Sequence, residues 1–407
     1  MRLRAWAWLA LASLALKPLR AETRPRYGGA LTVEAPGFPV SVFETLVRWN
    51  RATIEPLLAV AWQHDPDYKR WRFSLRSKVK FHDGEPFTAA SAVPSLGAAL
   101  KATYPDVAIE AGGQALVIKS SQPMPDLLDL LAQAAISRND IGTGAFRIAA
   151  RDPQHTTFAA FEDYWGGRPY LDNVTLADAA GAHGRADMFD LPVGPQRRIV
   201  PEGWTTWSSV PKTLLAIEGA RADPSVLKAL ALAIDRAPIA NVLAQHKAEP
   251  AFGLLPQWLS GYEFLFESVP DVARAKQMIA QSHPAPVTMD LPNDPFLRSV
   301  AERIALNARD AGMAIQFKPS GDLRLVELPV ETTDPASALA LMKLGDRPEV
   351  DLTKPEAVYQ FERMLIESRH IIPLLHLRKS YAISPKVHFQ PSHDQFELHL
   401  EDAWIEP

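Results

Sequence analysis

The sequence predicts an α/β protein of more than one domain, and three observations carry that reading. Helical and strand periodicities alternate along the chain, with strands of mixed length, as α/β construction requires. Its 407 residues exceed what one hydrophobic core usually organises, so two or three domains are expected. With 47% hydrophobic and 22% charged residues, the chain is too apolar to be disordered. That holds although its 35 prolines far outnumber the 21 glycines.

The elements follow in order. Arg2 and Arg4 precede an apolar run from Ala5 to Leu16, then Lys17, Pro18 and Leu19-Arg20-Ala21. Residues 1–21 read as a secretory signal cleaved after Ala21, the run being too short to span a bilayer. A retained amphipathic anchor is the alternative. No other segment approaches 18 unbroken apolar residues, so the expected mature chain is exported, soluble and periplasmic. The absence of cysteine excludes disulfides, thiolate metal sites, thiol nucleophiles and lipid attachment, so a lipoprotein is not expected.

Residues 30–34 read as a strand ending at Pro36-Gly37, and Val42 to Trp49 as a short amphipathic stretch. Trp71 to Arg76 alternates with period two, as a half-buried strand does. His82-Asp83-Gly84-Glu85-Pro86 is a turn, and Thr88 caps a helix through Lys101 that Pro94 should kink or shorten. Strands are expected at 115–119, 145–149 and 158–161, with a helix at 126–135 between them. Asp223-Pro224 opens a helix whose buried stripe is Val226, Leu227, Leu230 and Ile234. Asp235 ends it and Pro238 starts the next. Helices at 272–281 and 295–311, the latter closed by Gly312, precede a strand at 313–318.

Chemistry is hard to find. Lys+Arg 43 against Asp+Glu 47 leaves a net charge of -4, which offers no field for nucleic acid and no polybasic membrane anchor. There is no phosphate-binding G-x-x-x-x-G-K-[ST], no G-x-S-x-G and no H-E-x-x-H, and Gly142-Thr143-Gly144 lacks the third glycine of a dinucleotide site. His388, His393 and His399 are spaced to suit neither one helix face nor one strand face. A metal site gathered from distant histidines stays open beside the reading of ordinary satisfied or exposed histidines. Asn173-Val174-Thr175 is a chance sequon. No catalytic signature is visible, so an enzyme is not expected.

A set of ordered motifs does carry a pattern. Ile54 to Trp62 precedes Trp71-Arg-Phe-Ser-Leu-Arg-Ser-Lys-Val-Lys-Phe-His-Asp-Gly-Glu-Pro-Phe-Thr88. Gly142-Thr-Gly-Ala-Phe-Arg-Ile148, Phe161-Glu-Asp-Tyr-Trp-Gly-Gly-Arg-Pro-Tyr-Leu-Asp-Asn-Val174, Leu230 to Arg236 and Ile372-Pro-Leu-Leu-His376 follow. From about Tyr27 to Trp404 the chain resembles the family 5 extracellular solute-binding proteins, the peptide, nickel and opine receptors of ABC importers. Read as local structure, the same motifs make turns and an aromatic-pinned loop, signatures of a scaffold with no need to touch ligand.

The resemblance implies a type II, class C-like periplasmic-binding-protein clamshell with an extra α+β subdomain. Lobe one would comprise 25–46, 142–215 and 373–407, the subdomain 47–141, and lobe two 216–372. Strands near Leu214–Glu218 and Ile371–His376 would cross between lobes and permit hinge closure. It further implies a monomeric receptor without cofactor that captures a small, oligopeptide-like or other polar solute and delivers it to an inner-membrane ABC permease. The rival reading is a non-transport descendant with a reduced cleft, acting as a periplasmic sensor or interaction protein.

Two departures bear on the ligand. The stretch after the first strand is short, leaving Gly37 and Phe38 near the cleft, Phe38 as an apolar ligand contact or as a packed loop aromatic. Residues 322–335 align with a family segment whose tryptophan and aspartate hold a peptide terminus. Here Leu328 replaces the tryptophan and Glu331 the aspartate, with Thr332 beside it. Glu331 pairs an ammonium on one reading and is a solvated loop carboxylate on the other. His376 is a hinge-strand histidine or a contact to a metal chelate or haem.

Overall fold

In the computed structural model the chain builds most of one sheet, leaves it to form a second, and returns. The described residues are 24–406 without 36, 51–52, 179–185, 197, 220, 267–268, 283–284, 331, 333, 345–351, 353, 369 and 390–397. The expected signal segment, Pro36, Glu331 and His393 therefore lie outside them.

The first sheet has seven strands in the order 205–208, 380–383, 188–190, 30–34, 173–177, 155–160 and 146–151. Ala30–Glu34 runs parallel to both of its neighbours, and the remaining pairs are antiparallel. Leu31 and Val33 are fully buried on it, because the central strand has a core to face.

The second sheet has four antiparallel strands, ordered 248–250, 371–377, 213–218 and 324–329. Its strand Ile371–Leu377 is buried at every residue, since helices cover both faces. Pro224–Ala233, Val272–Ser282 and Pro295–Asp310 pack on one side. Pro335–Leu341 and Pro355–Ser368 pack on the other. The expected stripe of Val226, Leu227, Leu230 and Ile234 is buried, each such side chain contributing roughly 1.5–3 kcal/mol. Three helices here start with the same device. Asp223, Asp294 and Asp334 each precede a proline at N1, and each carboxylate accepts a backbone N–H of the first turn. Part of the proline excess is thus helix initiation.

A third unit inserts between Leu46 and Ile136 with its own core. Four antiparallel strands, 59–64, 70–75, 115–119 and 108–112, carry the helix Ala89–Leu100. Thr88 caps that helix, its hydroxyl accepting from Ser91 N while the Ser91 hydroxyl accepts from Thr88 N.

Three local expectations change. The Thr88-capped helix is not shortened at Pro94, which sits exposed in the second turn and costs only the ladder bond to Ala90. The helix expected at 126–135 is five residues, Leu127–Leu131. Asp126 makes no cap bond because its carboxylate takes the Tyr104 hydroxyl, and Ile136 is drawn into a bridge with Glu44. The helix placed from Pro238 begins at Arg236, because Asp235 itself caps it by accepting from Ala237 N.

Three of the motifs that carried the resemblance, those holding His82, Gly142–Gly144 and Tyr164–Trp165, meet at the base of this inserted unit. His82 N donates to Gly142 O at 3.0 Å, Gly142 N donates to His82 Nδ1 at 3.3 Å, and His82 Nε2 reaches Gly144 O at 3.0 Å. With Nδ1 accepting, the proton sits on Nε2, and burial lowers the imidazole pKa and keeps it neutral. A Cβ on Gly142 would lie 2.0 Å from Val42 O, and one on Gly144 2.2 Å from Ser41 O, so the spacing admits only glycine. Beside them Glu44, 4% exposed, accepts from Thr143 Oγ1, Tyr164 OH and Trp165 Nε1 at 2.8–3.0 Å. Arg76 covers Trp165 at 3.9 Å. The signature residues clasp the scaffold.

Candidate ligand cleft at the hinge

The chain passes between the two sheets twice, at Ser209–Lys212 and at Arg378–Lys379. The strands expected to cross, Leu214–Glu218 and Ile371–His376, lie inside the second sheet, and the passages sit just beyond them. Strand periodicity marks where a strand is, and carries no signal of which sheet it joins.

The two passages are bonded side by side. Ser209 N donates to Lys379 O at 2.9 Å, and Lys379 N to Ser209 Oγ at 3.1 Å. Lys212 N donates to Leu377 O at 2.9 Å, and Val330 N to Lys212 O at 2.7 Å. Arg378 donates from one guanidinium nitrogen to Ser209 O at 3.2 Å and from the other to Glu249. Lys247 reaches across from the second body, its Nζ donating to Pro192 O at 2.9 Å and Leu191 O at 3.4 Å.

Against this double strap lies a cavity of about 210 Å³, lined by Ala35, Gly37, Asp190 to Val193 and Arg378 to Tyr381. A second, smaller hollow lies beside Phe38, Pro39, Trp207, Ser209, Lys212, Lys379, Tyr381 and Leu398. Its wall is aromatic. Trp207 stacks on Tyr381 at 5.9 Å between centroids, and Phe38 meets Tyr381 edge-on at 5.1 Å. Asp190 is tied to Arg198 at 3.0 Å, and Arg198 also holds the buried Glu34 at 2.7 Å. Burial pushes the Asp190 carboxyl above its ordinary range, with Arg198 opposing.

Of the residues singled out from the sequence, Gly37 and Phe38 line the cavities, whereas Leu328 and Thr332 line neither. Gly37, at φ 73, and Phe38, 4% exposed, stand at the cavities, and Phe38 is packed in the core of the first sheet as well. Leu328 lies in strand 324–329 opposite Leu214 and packs half-buried against the apolar core of the second body. Thr332 is fully buried, its hydroxyl accepting from Asp334 N at 3.0 Å ahead of the helix that Asp334 caps. Glu331 is outside the described residues. His376 is 1% exposed within the second sheet, 3.3 Å from Glu263, and lines neither cavity. Among the described residues no group of three or more His, Asp or Glu is arranged to hold a metal. Sequence reasoning missed Trp207, Lys212, Arg378, Lys379 and Tyr381. The one visible signal was a pair of cations directly after the apolar run Ile371–Leu377.

Residues 53–191 match the family described as bacterial extracellular solute-binding proteins, family 5 middle. The nickel-binding protein NikA of Staphylococcus aureus is 24% identical over 323 residues, 70% of this chain and 66% of that protein. Over residues 53–191 the chain is similar to the family 5 extracellular solute-binding proteins. The di/tripeptide-binding protein 2 of Pseudomonas aeruginosa is 23% identical over 331 residues, 65% of this chain and 62% of that one. The chain thus matches slightly under two thirds of the length of these relatives.

The fold agrees. The structure of S. aureus NikA in complex with Ni(L-His)2 superposes with a TM-score of 0.75 at 18% identity, covering 93% of this chain and 100% of that one. AgaA of A. tumefaciens R10, in complex with agropinic acid, superposes at 0.76 with 19% identity, covering 93% and 99%. The two-lobed binding-protein fold is therefore this chain's fold.

Proposed function

We propose that this protein is the solute receptor of an ABC importer, exported to the periplasm, which captures a small polar solute between its lobes and delivers it to an inner-membrane permease. The carrying observation is the double strap at Ser209–Lys212 and Arg378–Lys379 with a cavity against it, since two short connections permit rigid lobes to close on what the cavity holds. On this reading lobe one is 25–46, 142–208 and 380–406, the inserted subdomain 47–141, and lobe two 213–377. The solute leaves unchanged, because the site binds and does not turn over. Gly37 and Phe38 contribute to the lobe-one wall, and Leu328 and Thr332 belong to the lobe-two side, bonded to the strap through Val330.

Ligand binding shifts an open–closed equilibrium by its differential affinity for the two states. Native mass spectrometry of protein purified from periplasm should show a bound small molecule, and small-angle scattering should show compaction when that molecule is added back. Absence of both would favour the reading of a periplasmic interaction protein that no longer traps solute.

A further inference from the structure

We propose that the segment Leu191–Gly194 is a third, non-covalent tie between the lobes, and that Gly194 and Phe296 are positioning residues that set lobe two on lobe one before a solute arrives. The assignment rests on the receptor reading and its lobe boundaries, and names what fixes the angle that two straps leave free.

The segment begins in one core and ends against the other. Leu191 follows strand 188–190, donates its N–H to Ser380 O at 2.8 Å and packs with Phe189 and Ala382 of lobe one. Two residues on, Val193 packs against the lobe-two core to which Phe296 of the helix Pro295–Asp310 belongs. Gly194 completes the contact. It is buried at φ 108, and a Cβ on it would lie 2.6 Å from the Phe296 Cβ and 3.0 Å from the ring. Only a residue without a side chain allows that approach. Lys247 grips the same segment from lobe two through the carbonyls of Leu191 and Pro192.

The course of the chain supports the same reading. After Gly194 it returns to the first sheet at strand 205–208, so the segment is an excursion from lobe one that meets a lobe-two helix and comes back. Joining two strands of one sheet does not require contact with a helix packed on another. Two straps define an axis about which the lobes turn, whereas a packed contact beside them has discrete arrangements and must be kept or broken as a unit. Asp190 to Val193 also line the cavity of about 210 Å³, so the tie borders the space where a solute is expected. Lobes held at the competent angle cost a solute less affinity, because apparent Kd rises as the competent fraction falls.

The chain contains no cysteine, so Gln154→Cys in lobe one and Lys276→Cys in lobe two, both exposed, give a spin-label pair for distance measurement on the ligand-free protein. Gly194→Ala pushes a methyl group at Phe296 and should lengthen and broaden the distance between the labels. Gly203→Ala is the control. It also lies in lobe one, at φ 82, and its added Cβ would meet nothing within 4 Å, so it takes backbone strain without touching lobe two and should leave the distance unchanged. Phe296→Ala, checked for folding by circular dichroism, should broaden the distance by deleting the ring, and it decides if Gly194→Ala does not fold. An unchanged distance in folded Gly194→Ala, or an equal change in Gly203→Ala, overturns the tie. With the solute that co-purifies, Gly194→Ala should bind several-fold more weakly than Gly203→Ala, and equal affinity despite a changed distance overturns the positioning role. The distances need no solute, so a failure of the tie is read separately from a failure of the receptor reading, which shows as the absence of any bound molecule.

Discussion

Two regions of this molecule are each held by buried polar groups, and they do opposite work. At the base of the inserted subdomain, Glu44 accepts from Thr143, Tyr164 and Trp165, His82 bonds the backbone of Gly142 and Gly144, and those glycines leave no space. At the hinge, Arg378 and Lys379 line a cavity, and the chain there is strapped by only a few backbone bonds. A closed network fixes one structure, whereas an open one has capacity left for a ligand. The difference also explains why the motifs with the strongest family signal sit far from the expected chemistry.

The sharpest way to break that contrast is Glu44→Ala. It strips the acceptor from Trp165, Tyr164 and Thr143 at once, and such buried losses cost about 3–5 kcal/mol. Urea denaturation should show the fall, with solute affinity of the remaining folded protein unchanged. A loss of affinity at full stability would put the signature residues in the ligand site and erase the contrast.

Phe38→Ala asks the matching question at the cleft. The ring is 4% exposed and packed on Tyr381, so stability should fall by about 3 kcal/mol. If the ring also walls the ligand, affinity for the bound solute falls with it. Stability loss with unaltered affinity would assign Phe38 to packing alone, the second of its two readings from sequence.

How much of this could be read from the chain depends on which residues carry the order. Capping residues act within a few positions, so Thr88, Asp223 and the stripe from Val226 to Ile234 were legible. The helix Pro355–Ser368 was not, because its buried stripe Val358, Phe361, Glu362, Leu365 contains a glutamate where an apolar residue is expected. Pro94 misled because local propensity yields to a helix anchored at both ends. The cleft was least legible. Lys212 and Lys379 sit in irregular segments far apart in sequence, and only the sheet topology brings them together.

Glu362 sharpens the comparison within lobe two, as the counterpart of Glu44. It is fully buried and accepts from Leu254 N, Leu255 N and Tyr262 OH, yet burial pushes its carboxyl up from 4.5 to about 7. Between those values the native state holds a proton that the unfolded chain has released. Stability from this group is therefore fully present below pH 4.5 and is lost as pH rises toward 7, with a slope of up to ~1.4 kcal/mol per pH unit. Glu362→Gln keeps the shape and should remove that slope from urea midpoints measured between pH 4.5 and 7. A slope that survives the substitution would mean that other groups set the pH dependence.

The smallest effect is expected at the hinge itself, from Lys247→Met. The methionine preserves the stem and deletes the bonds from Nζ to the carbonyls of Leu191 and Pro192, a loss of about 1 kcal/mol or less in a half-exposed setting. Those bonds tie the lobe-two residue before strand 248–250 to the lobe-one segment after strand 188–190. Losing them should barely move the unfolding midpoint, while scattering from the ligand-free protein shifts toward a wider lobe separation. That dissociation of stability from lobe geometry is what separates a hinge from a clasp, because at the Glu44 junction the same deletion of buried bonds cannot alter geometry without unfolding the subdomain. A Lys247→Met protein with an unchanged scattering profile would show that the strap residues alone set the angle between the lobes.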